Sequence, residues 1–573
     1  MGAEQSTLAK NGYTLQRETK NAVVATKGDD MFFLRRIILH KVPRNVVPAL
    51  TRERAILKTT NHPHIVSIKN SFQDQNIYYV VMDYCQGGNL AAKVRERRES
   101  PQESEILSWI AEICIALRAI HEKGLLHKHL MLKNILLTEF GMVCLGDFGK
   151  IYENSKSTQS TNNSYLAEAI NYLPPEVFTE GSYDEKSDIW SVGCLLYELC
   201  TQKPAFSAET TTMLMPKIIG GPYPCLPETF SPELCEILND IFNRDPQSRP
   251  TASEILKHPL IITCLSNKIK TTLEELQTKL TKLRDVADGL ERVHQGTTIG
   301  RLTGGVIGVV GGVTSIVGLI LAPFTLGASL IVSGVGVGMG ALGGVTAGAS
   351  NITNMVNQSS DRKAVQSILK EFEQKIPAVV TWLQEFGNSI QNIRSGFGSA
   401  ETPDTEDSQF TEENQKRHGF RAGRGMGGLA AWASRAVRVA EVATSVLFGL
   451  FIAVDIFFIA MDAKEIYHIR QAKAAEAAAT SGSVSNFDST STSDQAALSS
   501  SVMQELEPKT SQAQDQSSSN TTEVKSEIMK FVLSIRQAAD NLEKVLNELQ
   551  SINSSLLSFG DQGELEWQDM ELM

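Results

Sequence analysis

Cysteine is absent beyond Cys264, and none of the eight cysteines up to that point stands in a Cys-x-x-Cys pair. That scatter excludes a disulfide-framed miniature domain and a zinc ribbon, and it fits buried thiols in a reduced fold. The opening residues, Met1-Gly2-Ala3-Glu4-Gln5-Ser6, lack the apolar stretch of a secretory signal, so an intracellular location is expected over a secreted or lipoprotein-associated one. A net charge of −11 gives no general excess of cations, so nucleic acid is not an expected partner. Between Arg301 and Asp361 no charged side chain occurs.

What is present is enough for about two to four domains of roughly 150 residues. The chain has 573 residues, 42% apolar and 21% charged, a globular balance. The start Met-Gly-x-x-x-Ser matches the myristoylation pattern at Gly2; an ordinary polar N-terminus reads the same way. From residue 13 to 262, β-rich runs give way to amphipathic stretches. "IYYVVMDY" (77–84) has the Val, Ile and Tyr content of a buried strand. "EILSWIAEICIALRAIHEKG" (105–124) has helical apolar spacing and a Gly stop.

The boundaries follow from composition. Residues 1–12 form a tail and 13–262 an α+β, two-lobed domain; an all-α region then completes a multidomain chain. Residues 263–300 carry a heptad ladder, Ile269, Leu273, Leu276, Leu280, Leu283, Ala287 and Leu290, whose partner is either another chain or an internal helix. Residues 301–361 are apolar and Gly-rich. About 18 apolar residues precede Pro323 and a similar run follows it, each long enough for a bilayer. Pro323 stands where two helices would turn, and glycines four apart allow close helix packing. A buried hairpin in a soluble bundle is the alternative. Residues 362–471 hold a second apolar segment, "VATSVLFGLFIAVDIFFIAMDAKEIY" (442–467), interrupted by Asp455. A charged carboxylate costs a few kcal/mol at mid-bilayer and a protonated one less, which makes Asp455 a candidate pH gate. A core helix with Asp455 hydrogen-bonded is the equal alternative. A Ser/Ala/Gln-rich linker (472–522) leads to a last heptad segment and acidic tail (523–573), a coiled-coil or bundle signal that allows a homo-oligomer.

Residues 13–262 resemble a Ser/Thr protein kinase of the NIMA-related branch. The resemblance rests on ordered motifs: "NHPHIV" (61–66), "MDYCQGGNL" (82–90), "HKHLMLKN" (127–134), "GDFGK" (146–150), "NYLPPEV" (171–177), "SDIWSVGCLLYEL" (187–199) and "NRDPQSRPTASEILKHPLI" (243–261). It implies ATP and Mg2+, with Asn134 and Asp147 as metal ligands. Val23, Arg35, Glu53, Met82, Asp83, Tyr84 and Cys85 would form the nucleotide site, and Glu176, Asp188 and Arg249 would serve as structural supports. The departures fall on the chemistry. His129 replaces the Asp that orients the substrate hydroxyl, and its ring cannot match a carboxylate's hydrogen bonding. Met131 replaces the Lys that touches the transferred phosphate. Arg35 replaces the Ala-x-Lys lysine and lacks its compact ammonium. Gln16, Glu18 and Asn21 take the Gly-loop positions, where side chains block close approach to phosphate. Phosphoryl transfer is mostly positioning and charge neutralisation, so these losses point to a pseudokinase. An active kinase tethered to membranes is the alternative.

Residues of about 270 to 470 resemble the apolipoprotein L family, on "GLERVHQGTTIGRLTGGVIGVVGGVTSIVGLILAPFTLGASL" and "VLFGLFIAVDIFFIAMDAKEIYHI". That resemblance implies a membrane-insertable hairpin, lipid association and, in some members, pH-dependent channels. The joint expectation is a lipid-binding signalling scaffold on the cytoplasmic face of membranes, with protein partners on the kinase-like domain and coiled coils. A lipid-binding or channel protein with a regulatory kinase-like domain is the second alternative.

Overall fold

The computed structural model describes residues 7–19, 22–28, 30–41, 47–97, 99–146, 168–302, 347–397, 431–460, 470 and 510–571. Gly2, Asp147 and Pro323 lie outside them, as do residues 303–346 of the Gly-rich segment and most of the linker.

The chain divides into two compact units. The first comprises residues 1–272, 377–437 and 550–573. It opens with β1 (Thr14–Glu18), β2 (Ala22–Lys27) and β3 (Asp30–Ile38), then helix α1 (Val47–Thr59), β4 (Ile68–Asp74) and β5 (Ile77–Asp83). The strands form one antiparallel sheet in the order β1-β2-β3-β5-β4. One face buries Val23, Ala25, Leu34, Tyr79 and Val81 under Leu8 and Tyr13. A short helix α2 (Leu90–Arg95) leads into α3 (Glu103–His121), after which come the paired strands β6 (Ile135–Leu137) and β7 (Val143–Leu145). Helix α3 is apolar over most of its surface, Ile106 through Ile120 being largely buried; a helix apolar all round belongs in a core.

Helices α4 (Pro175–Thr179), α5 (Glu185–Thr201), α6 (Thr211–Gly220), α7 (Pro232–Ile241) and α8 (Ala252–Leu256) complete the second lobe. Their starts are written locally. Asp184 and Ser187 form a reciprocal capping box at α5, and Thr251 and Glu254 another at α8, each satisfying otherwise orphaned amides. On α5, Trp190 stacks on Phe206 with ring centroids 5.4 Å apart and meets Phe242 edge-on at 5.0 Å.

Beyond these lie three long helices, α9 (Pro259–Leu302), α10 (Ala347–Phe397) and, after the helix α11 (Ala431–Ala460), α12 (Thr510–Glu571). The second unit comprises residues 273–376 and 438–549. Within it the heptad residues Leu276, Leu280, Leu283 and Ala287 of α9 are buried, as are Ile535, Leu542, Val545 and Leu549 of α12. Arg284 pairs with Asp540 (2.9 Å) and Glu543 (2.8 Å), while Arg536 pairs with Asp288 (2.8 Å) and Glu291. Residue numbers rise on one helix as they fall on the other, so the two run antiparallel. The heptad faces therefore meet within the chain, the internal of the two options the sequence left open.

Helix α11 buries Leu447, Leu450, Val454 and Phe457, the last stacked on Phe531 at 4.2 Å. Its other side exposes Val442, Phe448, Ile452, Ile456 and Ile459. By length and composition it could cross a membrane. Asp455 is half-buried and accepts a hydrogen bond from Gln366 Nε2 at 3.2 Å.

Candidate nucleotide and phosphoryl-transfer site

The catalytic loop is built from its buried side outward. Asp188, fully buried on α5, accepts hydrogen bonds from the amides of His127 and Lys128, both at 2.8 Å, and from the Tyr183 hydroxyl at 2.7 Å. His121 Nε2 lies 2.9 Å from it. Burial pushes this carboxyl up, but His121, His127 and Tyr183 together leave it below its ordinary value. A carboxylate that accepts several hydrogen bonds holds its charge. The clamp fixes Lys128 in a left-handed conformation, φ 64°, one that costs energy for any residue but Gly. The His127 ring is wholly buried and donates Nε2–H to Gly146 O at 3.0 Å.

This frame sets His129. Asn134, on the short turn 132–134, places its amide nitrogen 2.8 Å from His129 O and 2.8 Å from His129 Nδ1. The backbone carbonyl must face a donor, which settles which end of the amide is nitrogen. Nδ1 then accepts from the same NH2 group. The proton of the neutral ring sits on Nε2, so that nitrogen is a donor. The group at the catalytic Asp position has its basic lone pair turned to Asn134, where an Asp would offer an acceptor oxygen to a substrate hydroxyl. Met131 is 1% exposed and packs in the core; it supplies bulk where the loop needs a cation.

The strand register corrects one nucleotide-site assignment. Val23 stands opposite Leu34, while Arg35 stands opposite Ala22 on β2 and Val80 on β5. Directly opposed residues share a face. Val23 therefore belongs to the buried face with Leu34 and Val81, away from Arg35, and Ala22 is the residue beside Arg35. The one-residue difference turns the side chain over. The Gly-loop positions move with it, from Gln16, Glu18 and Asn21 to Leu15, Arg17 and Lys20, and no glycine stands at either set. Glu18 is paired with Arg36 of β3, so its charge is compensated.

Register also brings in Phe33, which sequence reasoning missed. It lies two residues before Arg35 on the same face, between Val24 and Met82. The Ala-x-Lys pattern calls for a small residue there, and that mismatch was the available signal. Met82 and Asp83 end β5, with Tyr84 and Cys85 next, all half-buried. Asp83 pairs with Lys69 at 3.0 Å across exposed surface. Glu53 lies on α1; its side chain and Asp147 are outside the described residues.

Away from the cleft, Glu176 and Arg249 form a buried two-pronged pair, both N···O distances 2.7 Å, and the guanidinium lies over Trp190 at 5.0 Å.

The donor set fits ATP and Mg2+ only in part. Asn134 retains an oxygen with lone pairs for a cation. Phe33, Arg35 and the absent glycines do not match the purine and phosphate positions, so no transfer step can be derived from these residues.

The two-lobed fold, the Asp188 clamp and the Glu176–Arg249 pair define a protein kinase domain, and residues 21–261 match the protein kinase domain family. Within that class the relatives it matches are Ser/Thr kinases of the NIMA-related type. It is 40% identical over 211 residues to the serine/threonine-protein kinase Nek1 of Mus musculus, covering 37% of this chain and 17% of that protein. It is 37% identical over 223 residues to Nek3 of Mus musculus, covering 38% and 43%, and 36% identical over 234 residues to human Nek5, covering 40% and 32%. The chain thus spans less than half the length of these relatives. Residues 267–481 match the apolipoprotein L family, so the chain joins a kinase domain to an apolipoprotein L-like region.

Proposed function

We propose that this chain is a pseudokinase that works as a membrane-associated, lipid-binding scaffold. The observation that carries the first half is the His129–Asn134 hydrogen bond, which spends the basic nitrogen at the catalytic position. Kinases of this family use ATP and Mg2+ with an Asp there. Losing one such electrostatic or positioning group costs about 10²–10³ in rate, and here the base, the loop cation and the Ala-x-Lys lysine are all replaced. Purified full-length protein given γ-labelled Mg-ATP is expected to transfer phosphate no faster than its Asp147→Ala variant. Transfer above that variant would establish the active-kinase alternative.

The exposed apolar stripe on α11 supports the second half. Val442, Phe448, Ile452, Ile456 and Ile459 present contiguous apolar surface, and such a patch marks a contact with lipid or protein. Arg435 and Arg438 near its start suit anionic headgroups. The full chain is expected to float with vesicles containing phosphatidylserine, and Phe448→Asp to reduce the floated fraction several-fold. Flotation equal in both proteins would remove α11 from the lipid contact.

A further inference from the structure

The kinase domain carries a second polar cluster, built across 318 residues of sequence. His64, in the turn between α1 and β4, is wholly buried. Its Nδ1 lies 2.8 Å from Val143 O and its Nε2 accepts the indole N–H of Trp382 at 2.8 Å. The two rings stack, centroids 5.8 Å apart at 15°. Trp382 lies on α10, within the apolipoprotein L-like region, and is 1% exposed. Lys268 of α9 sits on the ring at 4.9 Å and pairs with buried Glu112 of α3. Glu112 Oε2 accepts the amide of Val143. Two further links flank the indole: Arg118 of α3 pairs with Glu385, and Ser389 Oγ donates to Leu256 O at 3.2 Å.

Three features mark this as a recognition surface and not incidental packing. A buried indole N–H needs an acceptor, and His64 supplies one only as the neutral tautomer with its proton on Nδ1, which Val143 O holds in place. The partner elements are the turn after α1, helix α3 and helix α8, so one docked segment touches both lobes. Ala378, Val379, Trp382, Leu383 and Phe386 supply the buried apolar face of the docked helix.

We propose that the stretch 377–391 of α10 is a built-in ligand of the kinase domain. Through Trp382 it holds the turn that comes after α1, and so couples the apolipoprotein L-like region to the helix that carries Glu53. The partner this surface fits is an amphipathic helix with a central tryptophan, and the chain provides its own. The coupling does not depend on whether the cleft transfers phosphate.

Amide hydrogen exchange on the full-length protein tests it. Trp382→Ala is expected to speed exchange at least tenfold in residues 60–68 and 47–59, with α5 (185–201) unchanged. Trp382→Phe keeps the ring and removes only the N–H, and is expected to give a smaller, several-fold rise at 60–68. It also decides the matter should the alanine variant not fold. His64→Phe combined with Trp382→Phe is expected to add little to His64→Phe alone, because the indole bond is already lost there along with the Val143 bond. Exchange at 60–68 unchanged in Trp382→Phe, or equal acceleration throughout the kinase domain including α5, overturns the proposal.

Discussion

Replacing Glu176 with alanine is expected to destabilise the second lobe by about 3–5 kcal/mol, the cost of breaking a buried pair by removing one partner. The reason lies in the group left behind. The Arg249 side chain is fully buried, and Nε donates to Asn243 O at 2.6 Å while Nη1 donates to Lys186 O at 3.1 Å. Those carbonyls satisfy protons but carry no net charge, so the guanidinium would stay buried and uncompensated. Ser187 Oγ, which donates to Glu176 Oε1 at 2.7 Å, would lose that acceptor as well. A chain with several folding units does not unfold in one step, so the measurement is local: hydrogen exchange of α5 amides should accelerate by about 10²–10⁴-fold. An acceleration under tenfold would mean the pair contributes little.

Acidification is expected to act on two groups of opposite sign. Burial, with help from the nearby His64, Lys123 and Arg118 charges, lowers His62 to about 3 from 6.5. A histidine held neutral in the fold stabilises it above pH 6.5, and that stability drains away as pH falls toward 3. Burial raises Glu385 to about 7 from 4.5, with Glu122 adding to the rise and Arg118 opposing it. A carboxyl that prefers its proton in the fold contributes most below pH 4.5 and loses that contribution as pH climbs through 7. Between pH 7 and 4.5 the two terms are each about 2–3 kcal/mol by linkage and nearly cancel. Burial also lowers His64, which adds to the acid loss. Glu385→Gln removes the offset. Its local stability, measured by hydrogen exchange of the α10 amides around Glu385 and corrected for the intrinsic pH dependence of exchange, should therefore fall between pH 7 and 4.5 by about 2–3 kcal/mol more than the parent's. Parallel pH profiles for the two proteins would show that Glu385 does not titrate in this window.

The residues differ sharply in how far local pattern could place them. The capping boxes at Asp184 and Thr251, the apolar run of α3 and the heptads of α9 and α12 are written in contiguous sequence, because helix and cap geometry depend on neighbours three or four positions away. The kinase motifs outlined the lobes, and His129, Met131 and Arg35 stand out against them as substitutions. Register is another matter. A strand turns its side chains over with each residue, so a spacing argument off by one put Val23 on the cleft side where Ala22 belongs, and left Phe33 unnoticed.

Sequence alone thus determined the kinase fold, the substitutions in its catalytic loop, the change of character after Cys264 and the helical nature of the region beyond it. Each depends on residue type and short-range order. Only the tertiary structure decided that Asn134 takes the lone pair of His129, that α9 and α12 satisfy each other's heptads, and that Trp382 closes on His64. Those outcomes depend on which buried donors meet which acceptors across a lobe or across 318 residues. A buried polar atom without a partner is costly, and that cost selects one arrangement among many that the same sequence pattern would allow.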